Sequence, residues 1–429
     1  MINIKEFVGG IISVKPLSDY DCGEDTSMLL YREISENQYD SVISELRIIG
    51  ASEEQHSDVD NFSSYTFILD NHRIIVSFDS MTKELRVVSD FFSEKLNTIK
   101  ETAGKCPVRL WQFEVDHTLI DCGMCYIIQC TDYSFFVIDS AHLYSINDDI
   151  RLYDFLRKNT PDGMPVVISG WYLSHGHSDH VCKCMDFLSN YRDVTVKGLY
   201  YNFVPDNHFS ADSWLFAERK HTLAFKAEAE KRTDIPKYKL HSGQYFYIDC
   251  LRFDVLCSHE DVYPQPLEDY NNSSLVVMMT VGEDKVCFPG DASAIESIIL
   301  EKRFPDFLSC DIMQVAHHGH SGTSTRFYQL ASAKVALFPV TQIKFDEEYP
   351  RIEANRVACD IAKHIYIASN GTVMFTFPLL DSEILIYPDE TNESFEGVFN
   401  LWSYDYSDDF KKDHIEKFRC RNKYLKEKY

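Results

Sequence analysis

A short cluster of metal-ligating side chains constrains this 429-residue chain more than any other feature of its sequence. The segment His175-Gly-His-Ser-Asp-His180 places three imidazoles and one carboxylate directly after the apolar run Val166–Leu173. Imidazole and carboxylate groups are the ligands that suit zinc and neighbouring first-row metals. Residues two apart in an extended segment point to the same side, so we expect His175 and His177 to bind one ion together.

The residues after this cluster predict a helix at Val181–Asn190. The turn into that helix would direct Asp179 and His180 toward a second ion beside the first. Chance clustering of solvated polar residues is the competing interpretation, and the density of ligands argues against it. We therefore predict a two-metal site that holds zinc, with manganese and iron as alternatives.

The order His-x-His-x-Asp-His after a strand resembles the signature of the metallo-β-lactamase superfamily. Three other segments resemble further motifs of this family, and together they follow its order over roughly residues 106–388. Before the cluster, Phe135–Ser140 is an apolar strand ending in an acid. After it, Lys285–Asp291 is a strand ending in Gly-Asp and Asp311–Gly319 is a strand ending in two histidines. The resemblance implies that Asp139 supports the metal centre and that Asp291 bridges both metals. It also implies that His317 or His318 is the last ligand of the second metal.

The third ligand of the first metal is absent in its usual form. Many members of the superfamily place a histidine between the first cluster and the Gly-Asp element. Here the alternatives are His259 and Asn272, which lies in the segment Asn271-Asn-Ser-Ser-Leu-Val-Val277. This segment and His317-His-Gly-His320 resemble the subgroup that includes the DNA-uptake protein ComEC. We favour Asn272 over His259 as the residue near the site.

The resemblance implies a hydrolase in which two divalent ions lower the pKa of a bridging water and supply hydroxide. Asp179, besides binding metal, is expected to orient this nucleophile or to carry its proton. His318 has a second predicted role as proton donor or oxyanion ligand, should His317 be the metal ligand. The expected substrate is a phosphoester or phosphodiester. Opening of a lactone, thioester or β-lactam on the same site is one alternative, and a non-catalytic metal-binding module is another.

The net charge of −25 argues against a long nucleic acid as substrate. Nucleic-acid binders usually present a basic surface, because contacts with phosphates dominate their affinity. In this chain, lysine and arginine gather only within the last twenty residues, where they predict one face of a helical tail. A small or short phosphoester is compatible with this charge.

Cysteine usage and hydropathy indicate a cytoplasmic protein. Thirteen cysteines make an odd number in a long chain, which disfavours a disulfide framework. The first residues show no basic segment followed by an apolar core, and no window reaches the apolar length that spans a bilayer. We therefore expect reduced thiols, no leader segment and no membrane anchor.

The distribution of predicted elements divides the chain into three parts. Residues 1–105 predict a small α+β accessory domain, with a helix at Glu36–Ile49 and strands at Tyr65–Leu69, Arg73–Phe78 and Leu85–Val88. It is expected to pack on the catalytic domain or to mediate homo-oligomerisation, and gating of the substrate is the alternative. Residues 106–390 predict an α/β fold, an αββα sandwich of two sheets between layers of helices. Residues 391–429 predict a C-terminal helical tail.

Overall fold

A computed structural model describes residues 3–23, 25–91, 94–205, 215–267, 270–379 and 385–386 of the chain. For residues 215–217 and 385–386 it describes the backbone alone. The predicted helical tail at residues 391–429 therefore lies outside the described residues. Across these ranges, every helix is too short or too polar to span a bilayer.

The first part of the chain forms a six-stranded antiparallel sheet with two helices on one face. Its elements in chain order are α1 (Ile4–Ile11), β1 (Ser18–Asp21), β2 (Ser27–Tyr31), α2 (Glu36–Ile48), β3 (Ser52–Val59), β4 (Phe62–Leu69), β5 (His72–Asp79) and β6 (Glu84–Phe91). The strands lie in the order β1-β2-β6-β5-β4-β3. Ser35 begins α2 with a capping box, in which its side chain and that of Gln38 each accept a backbone N–H.

The predicted helix and three strands of this unit are confirmed, but β1, β2, β3 and α1 were not predicted. Strand β3 is an example of a strand that is hard to predict from its sequence. It reads Ser-Glu-Glu-Gln-His-Ser-Asp-Val and lies at the edge of the sheet, where most of its side chains are exposed or half-buried. An edge strand buries little apolar surface, so it carries little of the alternation that predicts a strand.

The second sheet is built from strands in the middle of the chain, and the last two described strands of the chain are added at one edge of it. The elements up to residue 239 are β7 (Arg109–Gln112), β8 (Tyr126–Gln129), β9 (Phe135–Ile138), α3 (Asp148–Lys158), β10 (Val167–Tyr172), α4 (Ser178–Asn190), β11 (Thr195–Val196), β12 (Leu199–Tyr201), α5 (Leu215–Lys231) and β13 (Lys237–Lys239). The strand order is β13-β12-β10-β9-β8-β7, followed by two strands from the end of the described chain, and β11 pairs with β10.

The third sheet uses the strands from residue 245 to residue 367, and two later strands return to the second sheet. The elements are β14 (Tyr245–Ile248), β15 (Leu251–Cys257), α6 (His259–Val262), β16 (Val276–Val281), β17 (Asp284–Phe288), α7 (Ala294–Arg303), β18 (Ile312–Gln314), α8 (Thr325–Ala331), β19 (Val335–Phe338), α9 (Gln342–Glu348), α10 (Glu353–Ile361), β20 (His364–Ile367), β21 (Val373–Thr376) and β22 (Leu385–Ile386). Strands β14 to β20 pair in chain order, antiparallel up to β17 and parallel after it. Strands β21 and β22 complete the second sheet beside β7.

The second and third sheets pack face to face, and helices cover their outer faces. Phe136 of β9 contacts Phe253 of β15 with ring centroids 4.5 Å apart, in one continuous core between the sheets. Helices α3, α4 and α5 pack on the outer face of the second sheet. Helices α7, α8 and α10 pack on the outer face of the third. The predicted αββα sandwich is therefore confirmed.

A fully buried charged network joins the six-stranded sheet to the sandwich. Arg73 of β5 makes two hydrogen bonds to Asp90 of β6, at 3.1 and 3.0 Å. His241 extends this network, with ring nitrogens that lie 3.0 Å from Asp90 and 2.9 Å from Glu260. Each of these four side chains is at most 4% exposed. The predicted packing of this unit on the sandwich is thus observed, whereas homo-oligomerisation through it stays a prediction.

A second set of buried pairs closes the same interface. Arg303 at the end of α7 lies 2.7 Å from Asp261 and 3.4 Å from Asp79 of β5. Arg86 of β6 donates to the backbone carbonyls of Glu260 and Tyr263, both at 2.8 Å. The backbone at residues 260–263 is therefore anchored by a side chain of the first sheet.

Candidate metal centre

The histidine cluster lies where β10 ends and α4 begins. His177 is extended, with φ −69° and ψ 153°, and the helix starts at Ser178, three residues before the predicted start. Asp179 and His180 are consequently in the first helical turn rather than in a preceding loop. An acidic side chain is favourable there, because the N-terminal end of a helix carries partial positive charge.

The first group of candidate metal ligands contains four side chains. The group consists of Asp179, His180, Asp291 and His318, each with a donor atom within 4.8 Å of the others. Nε2 of His318 lies 2.9 Å from Oδ2 of Asp179 and 3.3 Å from Oδ2 of Asp291. Nε2 of His180 lies 3.3 Å from the same oxygen of Asp291.

A second group shares Asp291 with the first. It consists of His175, His177 and Asp291. Nε2 of His175 lies 3.0 Å from Nδ1 of His177 and 3.8 Å from Oδ2 of Asp291. Two histidines and one carboxylate match the three protein ligands of a catalytic zinc site, which keeps an open position for water or substrate. Asp291 is the residue through which the two groups meet.

The turn after β17 places Asp291 between the histidines. Gly290 has φ +59°, and a Cβ atom there would lie 2.8 Å from the Cβ of Ser174, so a larger residue would push the two segments apart. Gln314 of β18 holds this turn by accepting from the N–H of Gly290 at 2.9 Å and donating to its carbonyl at 2.8 Å. The Gly-Asp motif therefore allows the close approach that a shared ligand needs.

Asp139 orients the histidines from behind. Its carboxylate accepts from the backbone N–H and the hydroxyl of Ser174, at 2.8 and 2.9 Å. It also lies 2.9 Å from Nδ1 of His180. Because a carboxylate only accepts, Nδ1 of His180 carries the hydrogen and Nε2 presents its lone pair to the ligand group. This contact agrees with the supporting role that the family resemblance implied for Asp139.

His318 is oriented in the same way by the backbone. Its Nδ1 lies 2.8 Å from the carbonyl oxygen of Pro339, so Nδ1 donates and Nε2 faces the ligand group. His317 and His318 both have left-handed backbone angles, with φ of 52° and 54°. This conformation turns the two side chains apart. His317 lies outside both ligand groups, with its Nε2 3.2 Å from the amide nitrogen of Asn271.

The asparagine segment approaches the cavity through Asn271 rather than Asn272. Both asparagines are buried, but only Asn271 lines the metal cavity, together with His317. His259 lies elsewhere, with Nε2 3.2 Å from the side-chain oxygen of Asn202. Among the described histidines, cysteines and acids, His259 belongs to neither ligand group. The assignment of Asn272 to the first metal stays a prediction.

The balance of charge in the centre favours a bound cation. Burial alone would lower the pKa of His318, but the carboxylates of Asp291 and Asp179 outweigh it and raise the pKa to about 10. Burial alone would raise the pKa of Asp291, but the imidazoles of His318 and His180 hold it well below its usual range. Protons on the imidazoles thus compensate the carboxylates, and metal ions take the place of such protons when they bind.

Two observations show that these residues fit divalent metal ions. Nε2 of His180 and Nε2 of His318 face each other at 3.3 Å, while the second nitrogen of each ring is used by Asp139 or Pro339. In the described part of the chain, no hydrogen-bond partner faces Oδ1 of the buried Asp291. Without metal, these ring nitrogens need protons to balance the carboxylates, and a divalent cation between the nitrogens and the unpaired oxygen would replace those protons.

The cavity above these ligands contains residues that sequence reasoning missed. It has a volume of about 210 Å³. Its lining residues outside the predicted ligands are Asp121, Cys122, Ser178, Glu218, Asn271 and His320. Burial raises the pKa of both Asp121 and Glu218. Asp121 precedes a cysteine in a loop and Glu218 lies on α5, so neither belongs to a motif that could have marked it.

Comparison with known proteins gives structural neighbours of low identity. No protein-family model matches the chain, and no curated protein matches it. The chain is similar to the metallo-β-lactamase fold protein YhfI from Bacillus subtilis, at 11% identity over 61% of this chain and 97% of that one, with a TM-score of 0.37. It is also similar to unliganded yeast PDE1, at 11% identity over 63% and 99% of the two chains, with a TM-score of 0.38.

A third neighbour is CmlA, a diiron β-hydroxylase from Streptomyces venezuelae. It is 12% identical over 79% of this chain and 77% of its own, with a TM-score of 0.35. At such identities and TM-scores, the likeness identifies neither the metal, the substrate nor the reaction of this chain. The geometry of the ligand groups in this chain is the evidence for its function.

Proposed function

We propose that this protein is a dinuclear metal-dependent hydrolase of the metallo-β-lactamase superfamily that acts on a phosphoester or phosphodiester. The observation that carries the proposal is the pair of ligand groups that share Asp291 beneath a cavity. Four histidines and two aspartates supply the ligands, a nitrogen- and oxygen-rich set without thiolate that suits zinc, manganese or iron. We propose zinc, held by His175, His177 and Asp291 on one side and by Asp179, His180, Asp291 and His318 on the other.

When bound, the metals would supply hydroxide near neutral pH and neutralise charge on the substrate. The chain's own residues provide the rest. Oδ2 of Asp179 faces the ligand group beside the cavity, where it can hold the proton of the nucleophile. His317 lines the cavity without belonging to a ligand group; in its protonated form, its Nε2 would donate to the leaving group in place of its contact with the Asn271 amide. His318 then acts as a ligand rather than as a proton donor.

The phosphoester class is favoured by two sequence segments and by the size of the cavity. The segments Asn271–Val277 and His317–Gly319 resemble the ComEC-like subgroup. A volume of about 210 Å³ fits a small substrate or one end of a longer one. The net charge of −25 disfavours a long nucleic acid. The odd number of cysteines supports a cytoplasmic location.

Metal analysis followed by an activity screen tests this proposal. The purified protein is expected to contain about two metal ions per chain. It should hydrolyse bis-p-nitrophenyl phosphate or p-nitrophenyl phosphate faster than a lactone or a chromogenic β-lactam. Asp291→Ala should lower both the metal content and the rate, the rate by about a thousandfold or more. Asp360→Ala, on an exposed part of α10, is the matched control and should change neither.

Less than one metal ion per chain, together with no turnover after zinc or manganese is supplied, would overturn the assignment. Faster turnover of the lactone or the β-lactam would leave the metal centre in place but replace the phosphoester with a carbonyl substrate. Asn271→Ala and Asn272→Ala, compared for metal content, would decide which asparagine contributes to the first metal.

A further inference from the structure

We propose that Asp121 and Glu218 form an acidic subsite in the metal cavity that binds an ammonium group on the substrate. The substrate would then be a phosphoester whose alcohol portion carries an amino group. This inference rests on the proposed function, because the metal ligands are expected to hold the phosphate. It assigns a role to two side chains that the metal centre itself does not use.

Both carboxyl groups are held in the wall of the cavity by their surroundings. The backbone carbonyl of Asp121 accepts from the N–H of Thr341 at 3.1 Å, and the next residue, Cys122, pairs with Val340. Glu218 lies on α5, and its Oε2 accepts from the backbone N–H of Ser178 at 2.9 Å. The two residues thus approach the cavity from different parts of the fold.

Each carboxyl group has one oxygen that the described protein leaves unsatisfied. Asp121 is 5% exposed and Glu218 is 2% exposed. Within the described residues, no hydrogen-bond partner faces Oδ1 of Asp121 or Oε1 of Glu218. Buried oxygens of this kind normally find a partner, because an oxygen removed from water without a new donor destabilises the folded state. A donor supplied by a ligand would meet this need.

Glu260 shows that a buried carboxylate elsewhere in this protein does have hydrogen-bond partners for its oxygens. Glu260 is also buried, yet its Oε1 accepts from Asn202 and both of its oxygens contact His241. Asp121 and Glu218 are furthermore absent from both metal-ligand groups. Oδ1 of Asp121 and Oε1 of Glu218 are therefore committed neither to a described protein donor nor to the ligand groups.

Charge decides which part of a substrate these residues can face. Carboxyl groups repel a phosphate and attract a cation, and an ammonium offers three hydrogen-bond donors. Lys344, a cation that acts on Asp121 electrostatically, is itself paired with Glu348 at 3.1 Å and Glu347 at 3.4 Å. The carboxyl groups accordingly suit the amino-bearing end of the substrate, while the histidine-rich centre suits its phosphate.

Binding of two isosteric phosphonates tests this subsite without turnover. Aminoethylphosphonate carries an ammonium where propylphosphonate carries a methyl group, and the C–P bond of both resists hydrolysis. Calorimetry with the metal-loaded full chain should show tighter binding of aminoethylphosphonate, by about tenfold or more. Glu218→Gln and Asp121→Asn should each reduce this preference. The glutamine keeps an oxygen for the N–H of Ser178, and Glu230→Gln, on an exposed part of α5, should keep the full preference.

Each other outcome has a defined meaning. Equal binding of the two phosphonates, in a protein that hydrolyses bis-p-nitrophenyl phosphate, overturns the subsite and leaves the proposed function standing. A loss of metal from Glu218→Gln or Asp121→Asn also overturns the subsite, because the carboxyl groups would then serve the metals. A metal-loaded protein that neither binds a phosphonate nor turns over a phosphoester overturns the proposed function, and the subsite with it.

Discussion

Two buried clusters of histidines and acids in this protein differ in how their charges are balanced. At the interface of the first sheet with the sandwich, Asp90 is surrounded by Arg73 and His241, so protein donors occupy its oxygens. At the metal centre, Asp291 faces ring nitrogens while its Oδ1 has no partner in the described chain. The first cluster is complete as a protein structure. The second needs a cation, and this difference separates a structural network from a functional site.

The largest effect on stability is expected from breaking the complete cluster. Asp90→Ala would leave Arg73 and His241 buried with one carboxylate fewer, which should cost about 3–5 kcal/mol. Urea unfolding of the metal-loaded protein measures this loss. Asp58→Ala, on an exposed part of β3, should stay within about 0.5 kcal/mol of the unchanged protein. A small effect of Asp90→Ala would mean that water reaches Arg73 and His241 and solvates their charges in place of the carboxylate.

Removal of metal should destabilise the other cluster. At a free metal concentration of one hundred times the dissociation constant, one site contributes about 2.7 kcal/mol of stability. Chelation should therefore lower the unfolding temperature of the unchanged protein, as measured by calorimetry. Asp291→Asn should lose most of this dependence on metal, whereas Asp90→Ala should retain it. The same response in both variants would contradict the separation of the two clusters.

The interface cluster should also respond to pH. Burial would raise the pKa of Glu260, but His241 outweighs it and lowers the pKa to about 2. A lowered carboxyl pKa contributes stability that is present above the unfolded value of about 4.5 and is lost as pH falls toward 2. Glu260→Gln should therefore be less stable than the unchanged protein by roughly 2–3 kcal/mol near pH 5. The gap should close as pH falls toward 2, in acid titrations of urea unfolding.

The smallest predicted change concerns the support of the metal centre. Asp139→Asn would replace an oxygen that accepts from Nδ1 of His180 by either a donor or a weaker acceptor. Loss of such support typically lowers metal affinity by about ten- to a hundredfold. Competition with a chromogenic chelator measures the affinity, and Asp360→Asn serves as the exposed control. Unchanged affinity would show that Ser174 alone is sufficient to orient the histidines.

Local sequence predicted the parts of the site that follow strands. His175 to His180, Asp291 and His318 come directly after β10, β17 and β18, and the structure brings them together. The choice between His317 and His318 depended on left-handed backbone angles that spacing does not reveal. The pairing of Asp90 with His241 joins residues 151 positions apart, and Glu218 reaches the cavity from a crossover helix. Contacts of this kind depend on tertiary packing, so a single sequence carries no signal for them.

Arg86 and Arg303 make buried contacts between the two parts of the chain that the predicted boundary near residue 105 separates. Strand pairing separates the chain there, yet Arg86 holds the backbone at Glu260 and Tyr263 from across that boundary. If the sandwich were excised on its own, Arg303 would lose Asp79, His241 would lose Asp90, and the carbonyls of Glu260 and Tyr263 would lose Arg86. We therefore expect the sandwich without residues 1–105 to be less stable than the full chain, because these buried charged groups would lose their partners.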